Sequence, residues 1–350
     1  MAVLVVVCLA LLTSGCRATY VARLAYEQVR YLARAVPISE LIETTDDDER
    51  RRRLGLVLAA RSFAARNGLD PGGSFEAVSD TSEAAPFHVV TAAHVRRLRP
   101  YTWWYPVVGA MPYRGYFDRE AAENFARTLD QEELDVRIVE ASAYSTLGWF
   151  DDPLPSGLLE RGDGFLVSTV LHELVHQNFF APGDVAFNET LATSIGLRLA
   201  ADFLEERGDT ELAEKIRRHH GRWLGRGEFF DLLAGNLEEF LEGAEARELS
   251  IGEIREGRAA IYEEAQAEFV AKELSVENDL FLQSPMDNAT FLSLYRYASH
   301  APAIDHFVAS WPDLPEAFAE LRRRIDDGED LHDSLYAEVG KTAPIGVKSD

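Results

Sequence analysis

The sequence predicts an α+β fold that is predominantly helical, with a small twisted sheet beside a helical body. Segments rich in Val, Ile, Tyr and Trp are confined to residues 87–143, which indicates a sheet of limited size. From Gly164 onward, apolar residues recur at helical spacing, so helices are expected to dominate the second half of the chain. The 350 residues are 47% hydrophobic, which is enough to bury a full core.

The pattern of apolar residues and turn formers predicts the individual elements. Residues 20–66 read as helical and end before the turn cluster Asp70–Ser74. Three strands and one intervening helix are expected after it, at Phe87–His94, Tyr101–Ala110, Asp135–Ala143 and, for the helix, Asp118–Leu134. Helices are then expected at Phe165–Phe180, at Phe187–Arg207 and, as long charged amphipathic helices, over 210–275. We expect the helix Phe165–Phe180 to lie between the sheet and the helical body.

The first residues are similar to an export signal. Residues 2–12 form an unbroken apolar run that is too short to span a bilayer but suits the core of a signal peptide. Small residues then precede Cys16, as in a bacterial lipoprotein box, where the chain is cut before the cysteine and the thiol is acylated. We therefore expect an exported lipoprotein that faces the periplasm or the cell exterior and meets the membrane only through lipid on Cys16. A plain secretory signal or a buried strand is the alternative.

These features predict residues 1–15 as a signal peptide and residues 16–340 as a single domain. Within that domain, residues 20–163 would hold the N-terminal helices and the sheet, and residues 164–340 the helical part. The net charge of -24 argues against nucleic acid as a partner, because an acidic surface repels phosphates. Both cysteines, Cys8 and Cys16, lie near the start, so the domain body has no disulfide and no thiolate metal site.

The strongest chemical signal is the segment His172-Glu173-Leu174-Val175-His176. Histidines four residues apart project from the same face of a helix, so both imidazoles can reach one ion. Glu173 lies about 100° round the helix from His172, where it can flank the metal and accept a proton from bound water. The alternative is a helix with incidental surface histidines and acids, which the apolar flanking residues disfavour.

A third metal ligand is expected at Glu189, thirteen residues after His176. A Pro-Gly turn between the two predicted helices allows an antiparallel return that would bring Glu189 opposite the histidine pair. Ala192, one turn further on, is small enough to let the helices approach closely. Two neutral imidazoles and one carboxylate, with a position left open for water, are the pattern of a catalytic zinc. We therefore expect one Zn²⁺ ion held by His172, His176 and Glu189.

The two motifs together resemble the gluzincin metallopeptidases, in which His-Glu-x-x-His is followed by Asn-Glu-x-x-Ala, here Asn188–Ala192. The wider pattern is similar to the bacterial "putative aminopeptidase" family of exported lipoproteins. The stretches that carry this similarity are Pro112–Phe117, Ala143–Pro153 and His172–Ala192, with a weaker match at Asn288, Ala289 and Tyr297. The resemblance implies a zincin-like fold, zinc as the cofactor and a peptide as the substrate, and the family label implies an aminopeptidase.

The predicted reaction is hydrolysis of an amide bond by a metal-activated water. Glu173 would act as the general base and later pass its proton to the leaving amine. Tyr297 is our candidate for the oxyanion donor, with His300 as the second choice. Asp184 or Thr193 is expected to orient a liganding histidine.

The segment Tyr144–Trp149 is expected to supply the strand along which the substrate lies, or the loop beyond it, and an aromatic core turn fits equally well. Gly109–Met111 is similar to an aminopeptidase anchor for a free amine, but Pro112 and Tyr113 replace its acidic part. Exopeptidase and endopeptidase activity therefore both stay open at the level of sequence.

Two other functions fit the same residues. An exported scaffold or binding lipoprotein with a vestigial metal site would use the long charged helices at 210–275 to hold a partner. A metal-dependent amide hydrolase acting on cell-wall peptides would share the site and differ in its substrate.

Overall fold

The structure is a computed structural model that describes residues 26–80, 87–105, 109–141, 151–181, 184–276, 278–283, 285–329 and 331–338. The predicted signal peptide with Cys16, and the segment Tyr144–Trp149, lie outside the described residues. Among the helices that can be followed in these ranges, none is both long and apolar enough to cross a membrane.

Helices make up most of the described chain. Residues 26–33 are helical, and the helices that follow are α1 (Ile38–Thr44), α2 (Asp48–Arg66), α3 (Arg119–Ala126), α4 (Asp163–Asn178), α5 (Val185–Glu206), α6 (Thr210–Ala246), α7 (Ile251–Ala271), α8 (Asn288–Tyr295), α9 (Ala301–Ala309), α10 (Leu314–Asp326) and α11 (Leu331–Glu338). The strands are β1 (Ala35–Pro37), β2 (Ala77–Ser79), β3 (Phe87–His94), β4 (Trp103–Tyr105), β5 (Gly109–Met111), β6 (Tyr113–Tyr116), β7 (Leu134–Ala141) and β8 (Leu154–Pro155).

Within the described residues the strands form three small sheets. In the largest, β3 is central and pairs antiparallel with β6 on one side and β7 on the other, so that His88 lies between Tyr116 and Glu140. A second sheet has β2 between β1, which is antiparallel to it, and β8, which is parallel. Strands β4 and β5 pair only with each other in this part of the structure.

The predicted α+β class is confirmed, and so are the helices that carry the two motifs. The helix predicted at 165–180 is α4, and the helix predicted at 187–207 is α5, each displaced by one or two residues. The strands predicted at 87–94 and 135–143 are β3 and β7. These elements were predictable because their apolar periodicity is local and uninterrupted.

Three element predictions are wrong in part. The single strand predicted over Tyr101–Ala110 is divided into β4 and β5, which pair with each other, with Trp104 opposite Ala110. The helix predicted over 20–66 is interrupted by β1, because Val36 pairs with Val78 and Pro37 has no N–H with which to continue a helix. The helix predicted over Asp118–Leu134 ends at Ala126, since Leu134 begins β7.

The first large core is built around α4 and α5, which make their most extensive contact with each other. Leu171, Leu174 and Ile195 are completely buried at this contact. On another face, α4 packs against α2. The prediction that this helix lies between a sheet and the helical body is therefore wrong, since the neighbours with which α4 packs most extensively are helices.

The second core joins α6, α7 and α8 to the end of β3, through residues such as Phe230, Phe269, Phe291 and Ala93. A polar network crosses this core at Asp135, the second residue of β7. Arg258 donates to both carboxylate oxygens of Asp135, at 2.7 and 3.4 Å, and both side chains are at least 93% buried. The backbone N–H of Asn288 donates to the same carboxylate at 3.1 Å.

Asn288 completes the link between the sheet and the helices. Its amide donates to the carbonyl of His94 at 2.9 Å and accepts from the hydroxyl of Tyr262 at 3.0 Å. Asn288, which belongs to the weaker family match noted in the sequence, therefore fixes the start of α8. That position matters for the site, because the chain leaves α8 directly into Tyr297.

We predict that Arg258→Met destabilises the protein by about 3–5 kcal/mol, because it leaves the Asp135 carboxylate buried without its cation. The matched control is Arg255→Met, since Arg255 is 43% exposed and its guanidinium lies 3.9 Å from the same carboxylate. That exposed pair is expected to contribute less than about 1 kcal/mol. Urea unfolding of both variants measures the difference, and equal midpoints would contradict this account of the network.

Candidate functional site

Helix α4 presents His172 and His176 on one face, one turn apart, with ring centroids 4.8 Å from each other. The neighbouring residues Leu171, Leu174 and Val175 are at most 1% exposed and pack into the first core. This packing fixes the rotation of α4 about its axis. The two imidazoles are thereby held on the side that faces α5.

Two asparagines fix the connection from α4 to α5. Asn178 ends α4, where its amide donates to the carbonyls of Leu174 and Asp70, both at 2.8 Å. Asn188 accepts from the N–H of Ala181 at 2.8 Å and donates to the carbonyl of the same residue at 2.9 Å. The first turn of α5 is thereby tied to the chain that leaves α4, and Glu189 comes to lie opposite the histidines.

The three predicted ligand side chains converge on one point. The Nε2 atoms of His172 and His176 are 3.1 Å apart. An Oε2 atom of Glu189 lies 3.5 Å from the first and 3.4 Å from the second. The ligand atoms of all three groups lie within 4.8 Å of one another.

This triangle has the dimensions of one face of a metal coordination sphere. A tetrahedral zinc with bonds of about 2.0–2.2 Å has about 3.4 Å between neighbouring ligand atoms. The observed separations of 3.1–3.5 Å match that spacing. Two imidazole nitrogens and one carboxylate oxygen are also the donor set that suits zinc, so the residues present fit a single divalent ion.

The pKa values of Glu189 and His176 are shifted in the directions that favour positive charge at this point. Burial opposes ionisation of Glu189, but the two histidines outweigh burial and lower the pKa of its carboxyl. Burial alone would lower the pKa of His176, and the Glu189 carboxylate raises it instead. Positive charge at the histidines therefore stabilises the ionised Glu189 carboxylate, and a metal cation bound at the same point would supply that positive charge in place of a proton.

Glu173 lies beside this triangle on α4. Burial raises the pKa of its carboxyl, and the Glu189 carboxylate adds to that effect, while His172 and His176 act in the opposite direction. A partly desolvated carboxylate with a raised pKa binds a proton more readily than an exposed one, which is the property that a general base needs.

Gly196 sets the distance between the two helices at the level of His172. A Cβ atom at Gly196 would lie 3.0 Å from the backbone N and Cα of His172 and 3.2 Å from its Cβ. Those backbone atoms cannot move aside as a flexible side chain could. The sequence points to Ala192 as the small residue at this contact, but Gly196 also lies on nearly the same face of the helix, seven residues after Glu189.

Tyr297 follows α8 and lies next to the Glu189 carboxylate. That carboxylate, with burial adding to its effect, raises the pKa of the Tyr297 phenol well above the ordinary value of 10.0. The phenol therefore stays protonated and can donate a hydrogen bond. The side chain as a whole is 42% exposed, so it stands at an open edge of the site.

Two buried donors hold the backbone on which Tyr297 stands. The hydroxyl of Thr190, the residue after Glu189, donates to the carbonyl of Arg296 at 3.1 Å. The indole N–H of Trp223 donates to the carbonyl of Tyr297 at 2.9 Å. Helices α5 and α6 thus fix Tyr297 relative to Glu189, a role of Thr190 and Trp223 for which the sequence carries no local signal.

Comparison with known protein families adds one finding to this geometry. A family model described as "Putative aminopeptidase" matches residues 19–330. The chain belongs to this family. No curated protein and no solved structure shows significant similarity to this chain.

The remaining site predictions for this member of the aminopeptidase family have mixed outcomes. His300, the second choice as oxyanion donor, is 1% exposed and lies between the rings of Phe187 and Tyr336, and its role in the site stays a prediction. Asp184 caps α5 by accepting from the N–H of Phe187 at 3.0 Å. The Oγ1 atom of Thr193 lies 3.5 Å from Nδ1 of His172, the position of an orienting residue.

Thr193 can accept from His172 because its own proton is committed elsewhere. Its hydroxyl donates to the carbonyl of Glu189 at 2.8 Å. The Thr193 oxygen then favours the His172 tautomer that carries its proton on Nδ1. That tautomer leaves the Nε2 lone pair directed at the triangle, as a metal ligand requires.

We predict that Gly196→Ala in this member of the family lowers the free energy of unfolding by about 1–3 kcal/mol, because the added methyl overpacks the contact with His172. The control is Gly235→Ala on α6, where a Cβ atom would meet nothing within 4 Å. Alanine there should be neutral or stabilise the helix by up to about 1 kcal/mol. Chemical denaturation compares the two, and a Gly196→Ala variant as stable as Gly235→Ala would contradict the steric argument.

Proposed function

We propose that the protein is a zinc-dependent aminopeptidase that holds one Zn²⁺ ion with His172, His176 and Glu189. The observation that carries this proposal is the triangle of ligand atoms, 3.1–3.5 Å apart, with a second carboxyl group, that of Glu173, beside it. Membership of the aminopeptidase family supports peptide hydrolysis as the reaction. A structural zinc would take four protein ligands and would have no use for Glu173.

Zinc bound at this position would polarise the scissile carbonyl and lower the pKa of the attacking water. The protein's own part in the reaction begins with Glu173, which takes a proton from that water. The same carboxyl later gives the proton to the amine that leaves. Burial of Glu173 favours this double role, because a carboxyl group whose pKa is raised accepts a proton from water more readily than an exposed one and can then return it to the amine.

Tyr297 has a separate role in this mechanism. Its phenol stays protonated beside Glu189 and would donate a hydrogen bond to the oxygen of the substrate carbonyl as negative charge develops there. The tethers from Thr190 and Trp223 keep the donor in place before the substrate binds. A donor that is already positioned needs no reorganisation in the transition state.

We predict that the purified protein contains about one zinc per chain and that Glu173→Gln keeps this zinc while lowering kcat by about 10²–10⁴-fold. The ligands survive in that variant and the base does not. Metal content is measured by mass spectrometry, and turnover with a peptide library offered with free and with acetylated N-termini. Cleavage confined to free N-termini is expected of an aminopeptidase, and unchanged turnover by Glu173→Gln would reject the mechanism.

We predict that Tyr297→Phe lowers kcat by about 10²–10³-fold with little change in KM or in zinc content, because only the transition-state hydrogen bond is lost. Tyr26→Phe serves as the control, since Tyr26 is 60% exposed on the N-terminal helix. Steady-state kinetics on the best peptide from the library separate the two parameters. A Tyr297→Phe enzyme with the kcat of Tyr26→Phe would remove Tyr297 from the mechanism.

A further inference from the structure

Helices α6 and α7 form an antiparallel hairpin with an open groove along one side. The groove has a volume of about 490 Å³ and is lined by both helices. Its lining residues on this side run from Phe229 on α6 to Arg247, which directly follows the helix, and recur about every three or four residues. At 1.5 Å per residue, this stretch is about 27 Å long, so the groove has the length of a helix of about 18 residues.

About half of the exposed lining of the groove is apolar. Leu232 is 69% exposed within it, although it is a large aliphatic side chain. Phe240 and Ile261 line the same groove and are partly buried. The tip of the Phe240 ring packs against Gly257 of α7, where a Cβ atom would lie 2.2 Å from it. The seam of the hairpin thus presents an apolar strip that neither helix covers.

The rim of the groove is acidic. Glu239, Glu264 and Glu268 line it against a single cation, Arg247. Glu268 pairs with Lys272 at 3.5 Å. In the part of the chain that the structure describes, Glu239 and Glu264 have no ion-pair partner, so their charges are available to a ligand.

We propose that this groove binds a cationic amphipathic helix from a partner protein. An apolar strip of helical length flanked by carboxylates matches a helix with aliphatic residues on one face and Lys or Arg beside them. Such a helix would complete a three-helix bundle with α6 and α7. A second copy of this chain is disfavoured, since its net charge of -24 would bring like charges together.

Binding of a partner by the charged helices at 210–275 does not require the metal site to be vestigial. It is independent of the zinc chemistry, because none of the residues that line the groove belongs to the candidate site. The protein would then hold a basic partner on one surface and hydrolyse peptides at another.

The test uses the full chain and a fluorescent peptide of about 18 residues that is built from leucine on one helical face and lysine on the other. We expect saturable binding that weakens by about tenfold or more in Leu232→Ser and in the double variant Glu239→Lys/Glu264→Lys. A peptide with the same leucine face and glutamate in place of lysine is expected not to bind. Fluorescence anisotropy at low and high salt gives the affinities.

The matched controls are Val270→Ser for the apolar change and the double variant Glu242→Lys/Glu245→Lys for the charge change. Val270 is 52% exposed on α7, Glu242 and Glu245 are exposed on α6, and none of the three lines the groove. Equal affinities for the groove variants and their controls would overturn the proposal, since binding would then reflect overall charge alone. A chain that dimerises in solution and becomes monomeric in Leu232→Ser would also overturn it, by making a second copy the occupant.

Discussion

The candidate site depends on how closely α4 and α5 approach each other at the level of His172. Gly196 allows an approach at which a methyl group would lie 3.0 Å from the His172 backbone. At that spacing the imidazoles on α4 and the carboxylate on α5 reach one point, with their ligand atoms 3.1–3.5 Å apart. A wider separation would leave Glu189 out of reach of an ion held by the histidines. Packing in the first core and the convergence of the three candidate ligands are therefore consequences of the same contact.

Helix α5 also links two parts of the site that are far apart in the sequence, Glu189 and Tyr297. Thr190 follows Glu189 directly and holds the carbonyl of Arg296, so α5 positions both the third candidate ligand and Tyr297. Asn288, at the start of α8, anchors that segment to the sheet through the carbonyl of His94. The sheet thus acts on the site indirectly, by fixing α8, while the helices provide the side chains that would do the chemistry.

The candidate ligands could be predicted from sequence because their spacing is local. His172 and His176 share a face by helix periodicity alone, and a short turn returns the chain to Glu189. The strand β1 could not be predicted, because Val36 becomes extended only by pairing with Val78, which lies 42 residues later. The tether from Trp223 to Tyr297 is similarly non-local, since it joins residues 74 positions apart. The position of His300 between the rings of Phe187 and Tyr336 is non-local in the same way, since these residues are far apart in the sequence.

The most direct test of the account is anomalous diffraction at the zinc absorption edge, from crystals of the protein grown with one equivalent of zinc. We expect a single strong peak that lies about 2.0–2.2 Å from Nε2 of His172, Nε2 of His176 and a carboxylate oxygen of Glu189. A peak bound by other residues, or the absence of any peak between α4 and α5, would contradict the proposed metal centre and the peptidase mechanism that rests on it.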